Sequence, residues 1–178
     1  MAYYGRRNTD LKYQLYKELI AKNHPKFAKG SPLREAIIEF PEMFNIEHLV
    51  EQALALNSDG QYKFNDGIHE DFDDRSEAKT GTVHANGDSA AIAEITNVRS
   101  SKGVLKHGAI RCVILNPRLE KLHFLFIPQT SLQIIMANTK KLAMRIAYNK
   151  KEERFTTLEK YGIIEFQTFK ELAMEPNR

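Results

Sequence analysis

The sequence predicts an α/β fold: a single domain with a central mixed β-sheet flanked by helices. Three observations carry this expectation. Apolar residues recur at helical spacing as far as Leu56, and at the turn Asn57-Ser58-Asp59-Gly60 the period changes to alternation. Two later runs, Ala109–Leu115 and Leu122–Ile127, are almost wholly apolar, as strands covered on both faces must be. The chain has 178 residues, 42% hydrophobic and 10% aromatic, enough for one domain with a sizeable core. Residues 1–57 are expected to be mainly helical, and residues 58–178 to hold the sheet and the closing helices.

In chain order, Tyr3, Tyr4, Arg6 and Arg7 make a basic, aromatic arm, with fraying preferred over a seat in a DNA groove. Asn8 or Thr9 caps a helix from Asp10 to about Asn23, with Leu11, Leu15, Leu19 and Ile20 on one face and Glu18 near that stripe. His24-Pro25 ends it. Ser31 caps a short helix with Pro32 in its first turn, and Pro41 interrupts. Asn45 caps a third helix, about Ile46 to Leu56, with Ile46, Leu49, Val50, Ala53 and Leu54 on its inner face. Gln61–Asn65 is the first candidate strand, closed by Asp66-Gly67. An acidic hairpin with its tip near Asp73-Asp74 leads into a strand over Ser76–Val83, and Ala91–Val98 fits its hairpin partner strand, with a helix as the alternative. After the two apolar strands, residues 131–136 fit a short helix or a strand. Lys140–Ile146 reads as a strand, and Phe169–Leu172 as a closing helix.

The formal charge of +3, from 26 basic and 23 acidic residues, is small but unevenly spread. Acids concentrate at 66–77, and bases cluster at 99–111 and 140–154. An acidic pocket flanked by basic surface suits a polyanionic substrate. The one cysteine, Cys112, lies in an apolar run; it rules out an intrachain disulfide and a cysteine-type zinc site and reads as a buried free thiol. The histidines show none of the close pair spacings of zinc sites. No apolar segment reaches the length of a membrane span, and a reduced, cytoplasmic protein is expected.

The chemistry concentrates between Asp66 and Thr80. In an extended chain, side chains two residues apart share a face, so Glu77 and Lys79 project together and Ala78 turns away. Carboxylates here can bind a hard cation such as Mg²⁺. A lysine beside them can orient or deprotonate a water and balance developing negative charge. The alternates Ser76, Ala78, Thr80 and Thr82 are small, which lets a large ligand approach closely, and threonine hydroxyls donate to phosphates. Arg99-Ser100-Ser101-Lys102-Gly103, followed by Lys106, is a candidate phosphate-contacting loop, with a solvated turn as its alternative. Arg111 interrupts an apolar strand and needs an anion, either a carboxylate or a phosphate. The bland reading of the acidic stretch is a solvated hairpin whose acids pair with Arg75 and Lys79.

An aspartate, a variable gap and Glu77-Ala78-Lys79, followed by the β-type run Lys79–Val83 and two apolar strands, resembles the active site of the PD-(D/E)xK nucleases, which include most type II restriction endonucleases. Gly108-Ala109-Ile110-Arg111, running into an apolar strand, is similar to a G-x-x-R element of that family. The resemblance implies a restriction-endonuclease-like fold and Mg²⁺-dependent hydrolysis of double-stranded DNA by a homodimer, leaving a 5′-phosphate and a 3′-hydroxyl. It implies that Glu77 and an upstream aspartate, Asp66 or Asp71, ligate the metal and that Lys79 positions the attacking water. Asp66 stands eleven residues before Glu77 and follows a strand; Asp71 stands six before and needs a tight hairpin; Asp74 is expected at the tip. The proline of the family's motif is absent, with Asn65 or Glu70 in its place. Glu18 is the first-helix position that would support the metal, although an ordinary exposed glutamate is the favoured reading. DNA contacts are expected from Thr80, Thr82, Arg99, Lys102, Lys106 and Arg111. A type II restriction endonuclease is the function read here. The alternatives are a junction-resolving or repair nuclease with the same site, or a non-catalytic DNA-binding or assembly subunit on the same fold.

Overall fold

A computed structural model of the chain describes residues 15–22, 32–39, 43, 46–63, 71, 72, 74–85, 90–95, 98, 108–137 and 139–177. The basic arm, Asp66 and the loop with Arg99, Lys102 and Lys106 lie outside the described residues, as does the end of the expected strand Gln61–Asn65. The helices and strands in chain order are α1 (residues 15–22), α2 (Pro32–Glu39), α3 (Ile46–Asn57), β1 (Glu77–Ala85), β2 (Ala90–Ile95), β3 (Ile110–Asn116) and β4 (Lys121–Ile127). They continue with α4 (Gln129–Ala137), β5 (Met144–Asn149), β6 (Arg154–Phe155), α5 (Leu158–Tyr161), β7 (Ile164–Phe166) and α6 (Phe169–Met174).

The strands form one seven-stranded sheet in the order β6-β5-β2-β1-β3-β4-β7. It is mixed, because β1 and β3 run parallel while every other neighbouring pair is antiparallel. The apolar character of β3 and β4 explains their place. All of β3 is buried, and β4 is buried from Leu122 onward. Such strands are stable only with both faces covered. On one face Val113, Leu115, Phe124 and Phe126 share a core with Tyr16 and Ile20 of α1, Ile37 of α2, Leu49 and Val50 of α3, and Phe169 and Leu172 of α6. On the other, Ile110, Cys112, Ile114 and Leu125 meet Leu132 and Met136 of α4, with Ile146 and Tyr148 of β5. Helices therefore flank the sheet on both sides, as the apolar runs require.

Local chemistry sets several boundaries. Residues 131–136 are helical: Pro128 follows β4, and its carbonyl accepts from Leu132 N at 3.1 Å in the first turn of α4. β5 begins at Met144, later than expected, because Lys140, Lys141 and Leu142 are exposed and the alternation of buried Met144, Ile146 and Tyr148 starts only there. Gly162 closes α5 in the left-handed region, at φ 72°, where a residue without Cβ is favoured. Thr168 caps α6: its hydroxyl oxygen accepts from Glu171 N at 3.1 Å and donates to the Glu171 carboxylate at 3.0 Å. The short elements β6, α5 and β7 have no signal of their own in the sequence, since two to four residues carry no readable period.

Candidate active site

β1 is launched from a tight loop. Phe72 N donates to Ser76 O at 3.2 Å and Arg75 N to Phe72 O at 3.0 Å, and Arg75 takes a positive φ of 69°. Asp74 holds this turn through Oδ1, which accepts from Ser76 N at 2.9 Å and Ser76 Oγ at 2.5 Å. Short polar side chains bond to nearby backbone in this way and so favour turns. The expectation that Asp74 sits at the turn therefore matches its place. Gly108 lies beside the loop; a Cβ there would stand 2.8 Å from Arg75 O. Glu77 N then donates to Ala109 O at 2.9 Å, opening the parallel pairing of β1 with β3.

Glu77 and Lys79 lie in register with Ile110 and Cys112, both of which belong to the core on the α4 side of the sheet. The two side chains therefore project to that same face, as the two-residue period requires. β2 pairs with β1 from Thr82 to Ala85. At the start of β1 the Asp71 carboxylate binds the strand backbone: its Oδ2 accepts from Ala78 N at 3.0 Å. In return Asp71 N donates to Glu77 Oε2 at 2.9 Å. The two acids are thus locked together by the loop and the strand start.

The electrostatics follow from this proximity. Burial, reinforced by the Asp71 charge beside it, pushes the Glu77 carboxyl up to about 7, with Lys79 pulling the other way. A third acid, Glu51 of α3, is also pushed up to about 7, first by burial and next by the Asp71 charge. The Asp71 charge therefore acts on two carboxyls contributed by different elements. Sequence reasoning did not select Glu51; its only signal is its place on α3 directly after Val50 of the apolar stripe. Glu18 instead pairs with Lys22 at 2.5 Å on an exposed helix turn, the ordinary role favoured from sequence.

Arg111 corrects an expectation. It is fully buried and its guanidinium donates within the protein, to Ser76 Oγ at 3.0 Å, Leu172 O at 2.7 Å and Asp74 Oδ2 at 2.9 Å. Its anion is a carboxylate, and a DNA phosphate cannot reach it. Thr80 and Thr82 are in register with Val113 and Leu115, on the sheet face opposite Glu77 and Lys79. They do not join the carboxylates there. Cys112 is a buried thiol, and burial pushes it far above its ordinary range.

The residues fit a hard divalent cation in part. Paired carboxylates are hard oxygen donors, and one or two of them commonly hold Mg²⁺, with waters and substrate phosphate completing its shell. Among the described residues no group of three or more His, Cys, Asp or Glu side chains is placed to hold a metal ion. A separate polar cavity of about 280 Å³ lies at the β4–β7 end of the sheet, lined in part by Lys121, His123, Glu165 and Gln167. There His123 Nδ1 lies 3.3 Å from Glu165, and Asn116 Nδ2 contacts His123 Nε2 at 3.2 Å and Tyr148 Oη at 3.0 Å. Asn116 Oδ1 accepts from Leu119 N, which turns the amide donors toward the ring and leaves Nδ1 to donate to Glu165. This network ties β3, β4, β5 and β7 together. Comparison of the chain with known protein families, with curated proteins and with solved structures finds no match.

Proposed function

We propose that the protein is a Mg²⁺-dependent endodeoxyribonuclease, with site-specific cutting of duplex DNA by a homodimer, as in type II restriction, as the specific reading. The observation that carries it is the carboxyl pair of Asp71 and Glu77, joined at 2.9 Å through the Asp71 amide, with Lys79 on the same strand face as Glu77. A bound Mg²⁺ supplies charge neutralisation at the phosphate and a more acidic water. Asp71 and Glu77 are the residues that would hold it. Glu77, the more buried, orients the pair, and Asp71 stays fixed through Ala78 N. Lys79 carries an ammonium beside Glu77, where it offsets negative charge as the phosphate is attacked and orients the incoming water. The family resemblance of Glu77-Ala78-Lys79 supports the same assignment.

The experiment is incubation of the purified chain with plasmid DNA, with Mg²⁺ and with chelator. Discrete fragments only with Mg²⁺ are expected. Lys79→Ala should lower the cleavage rate by about 10²–10³-fold, the range for loss of one group that stabilises developing charge, while DNA retention in a mobility shift persists. Cutting confined to branched or mismatched substrates would replace restriction with junction resolution or repair. Unaltered biological effect and DNA binding in Lys79→Ala, with no cutting by wild type, would replace catalysis with a binding role.

A further inference from the structure

The buried guanidinium of Arg111 is the centre of a device that the nuclease reading leaves without a role. An arginine removed from water is stable only when each donor is met. Here its edge reaches three acceptors on two separated pieces of chain: Ser76 Oγ and Asp74 Oδ2 in the loop before β1, and Leu172 O in α6. Its face is packed as well, with the guanidinium carbon 4.5 Å from the Tyr62 ring centre and 5.3 Å from that of Phe126. The planar fork is therefore fixed in position and in tilt. Asn177, beyond α6, adds a second tie from the same side: its Nδ2 donates to Asp74 O at 2.5 Å. The loop gripped in this way is the one that presents Asp71 to Glu77.

We infer that Arg111, together with α6 and Asn177, forms a strut that sets the spacing of the Asp71–Glu77 pair, so that these residues position the metal-holding carboxylates without touching metal or DNA. The inference rests on the proposed nuclease site. It requires that the ends of the loop be stiff. Asp74 and Ser76 sit three and five residues after Asp71, and Ser76 immediately precedes Glu77, so a shift of Asp74 cannot be absorbed before it reaches the acids. Gly108 closes the remaining side by admitting Arg75 O at a distance that a Cβ would forbid.

The test uses Mn²⁺ alone as probe, with binding to the full chain followed by titration calorimetry, beside plasmid cleavage. Asn177 is only half-buried, so Asn177→Ala and the isosteric Asn177→Asp, which lacks the donor, should fold with melting curves close to wild type. Both should bind Mn²⁺ about 10–100-fold more weakly, the usual loss when an outer support of a metal ligand is removed. The cleavage turnover should fall, DNA affinity in chelator should stay unaltered, and raised Mn²⁺ should restore cleavage. Ser76→Ala, which removes an Arg111 contact inside the loop, should melt lower and, at temperatures where it is folded, show the same loss of Mn²⁺ affinity. Wild-type Mn²⁺ affinity in all three variants, with an active wild type, would overturn the strut and leave the nuclease reading standing. A wild type that neither binds Mn²⁺ nor cuts would overturn the nuclease reading, and the strut with it.

Discussion

Glu77 is a carboxyl held where its charge is costly, and this has a measurable consequence for stability. In the metal-free protein it titrates near 7, against an ordinary value of 4.5. Below 4.5 both folded and unfolded chains hold the proton. As pH rises from there toward 7, the unfolded chain releases its proton first, so the folded state loses stability over that window and levels off above it. Glu77→Gln removes this loss. The variant should therefore melt higher than wild type at pH 8 without metal, and the difference should shrink as pH falls toward 4.5, in thermal melts followed by circular dichroism. Added Mg²⁺ should raise the wild-type midpoint more than that of the variant. Glu51→Gln should show the same pH trend, because its carboxyl is pushed to about 7 by burial and by the same Asp71. At this scale the pairing of Glu77 with Lys79 was legible, since a strand's two-residue period is a local property. The partnership of Asp71 with Glu51 was not, because it joins a loop and a helix twenty residues apart in sequence.

The strand β3 shows how one element serves both the core and the site. Its residues alternate between two cores: Ile110, Cys112 and Ile114 face α4, and Val113 and Leu115 face α1, α2, α3 and α6. Cys112 should accordingly resist a thiol reagent in the folded protein and react stoichiometrically in denaturant, at a rate that follows global opening. The approach to the strand is as constrained as the strand. Gly108→Ala places a Cβ 2.8 Å from Arg75 O, and since the obstacle is backbone the loop must move. The variant should keep its far-ultraviolet circular dichroism and, on the proposed nuclease reading, lose most of the plasmid cleavage. Among the elements, β3, β4 and α3 could be read directly because each is long and strongly patterned. Residues 131–136 were open between helix and strand because short apolar segments satisfy both periods, and the fold chose helix once Pro128 had ended β4.

In the whole molecule, α6 is the element that joins the far end of the sheet to the site. Phe169 is fully buried and meets Phe124 edge-on with ring centres 4.8 Å apart, while Leu172 is buried beside α3 and gives its carbonyl to Arg111. Phe169→Ala should cost about 3–5 kcal/mol, in line with loss of a buried aromatic ring, read as a lowered denaturation midpoint with an unaltered urea slope. The metal affinity proposed for Asp71 and Glu77 should weaken in the same variant at temperatures where it is still folded, since α6 also anchors the loop. No helix among the described residues is long and apolar enough to cross a membrane.

The sequence by itself determined the class of fold, because periods of apolar residues decide which segments are helix or strand and which strands must be covered on both faces. It also determined that Glu77 and Lys79 share a side. Only the tertiary structure decided what Arg111 binds and which acids feel the Asp71 charge. The physical reason is range. Side-chain direction along a strand is fixed by neighbours in the chain, whereas the partner of a buried charge is fixed by which distant segments the sheet and helices bring against it.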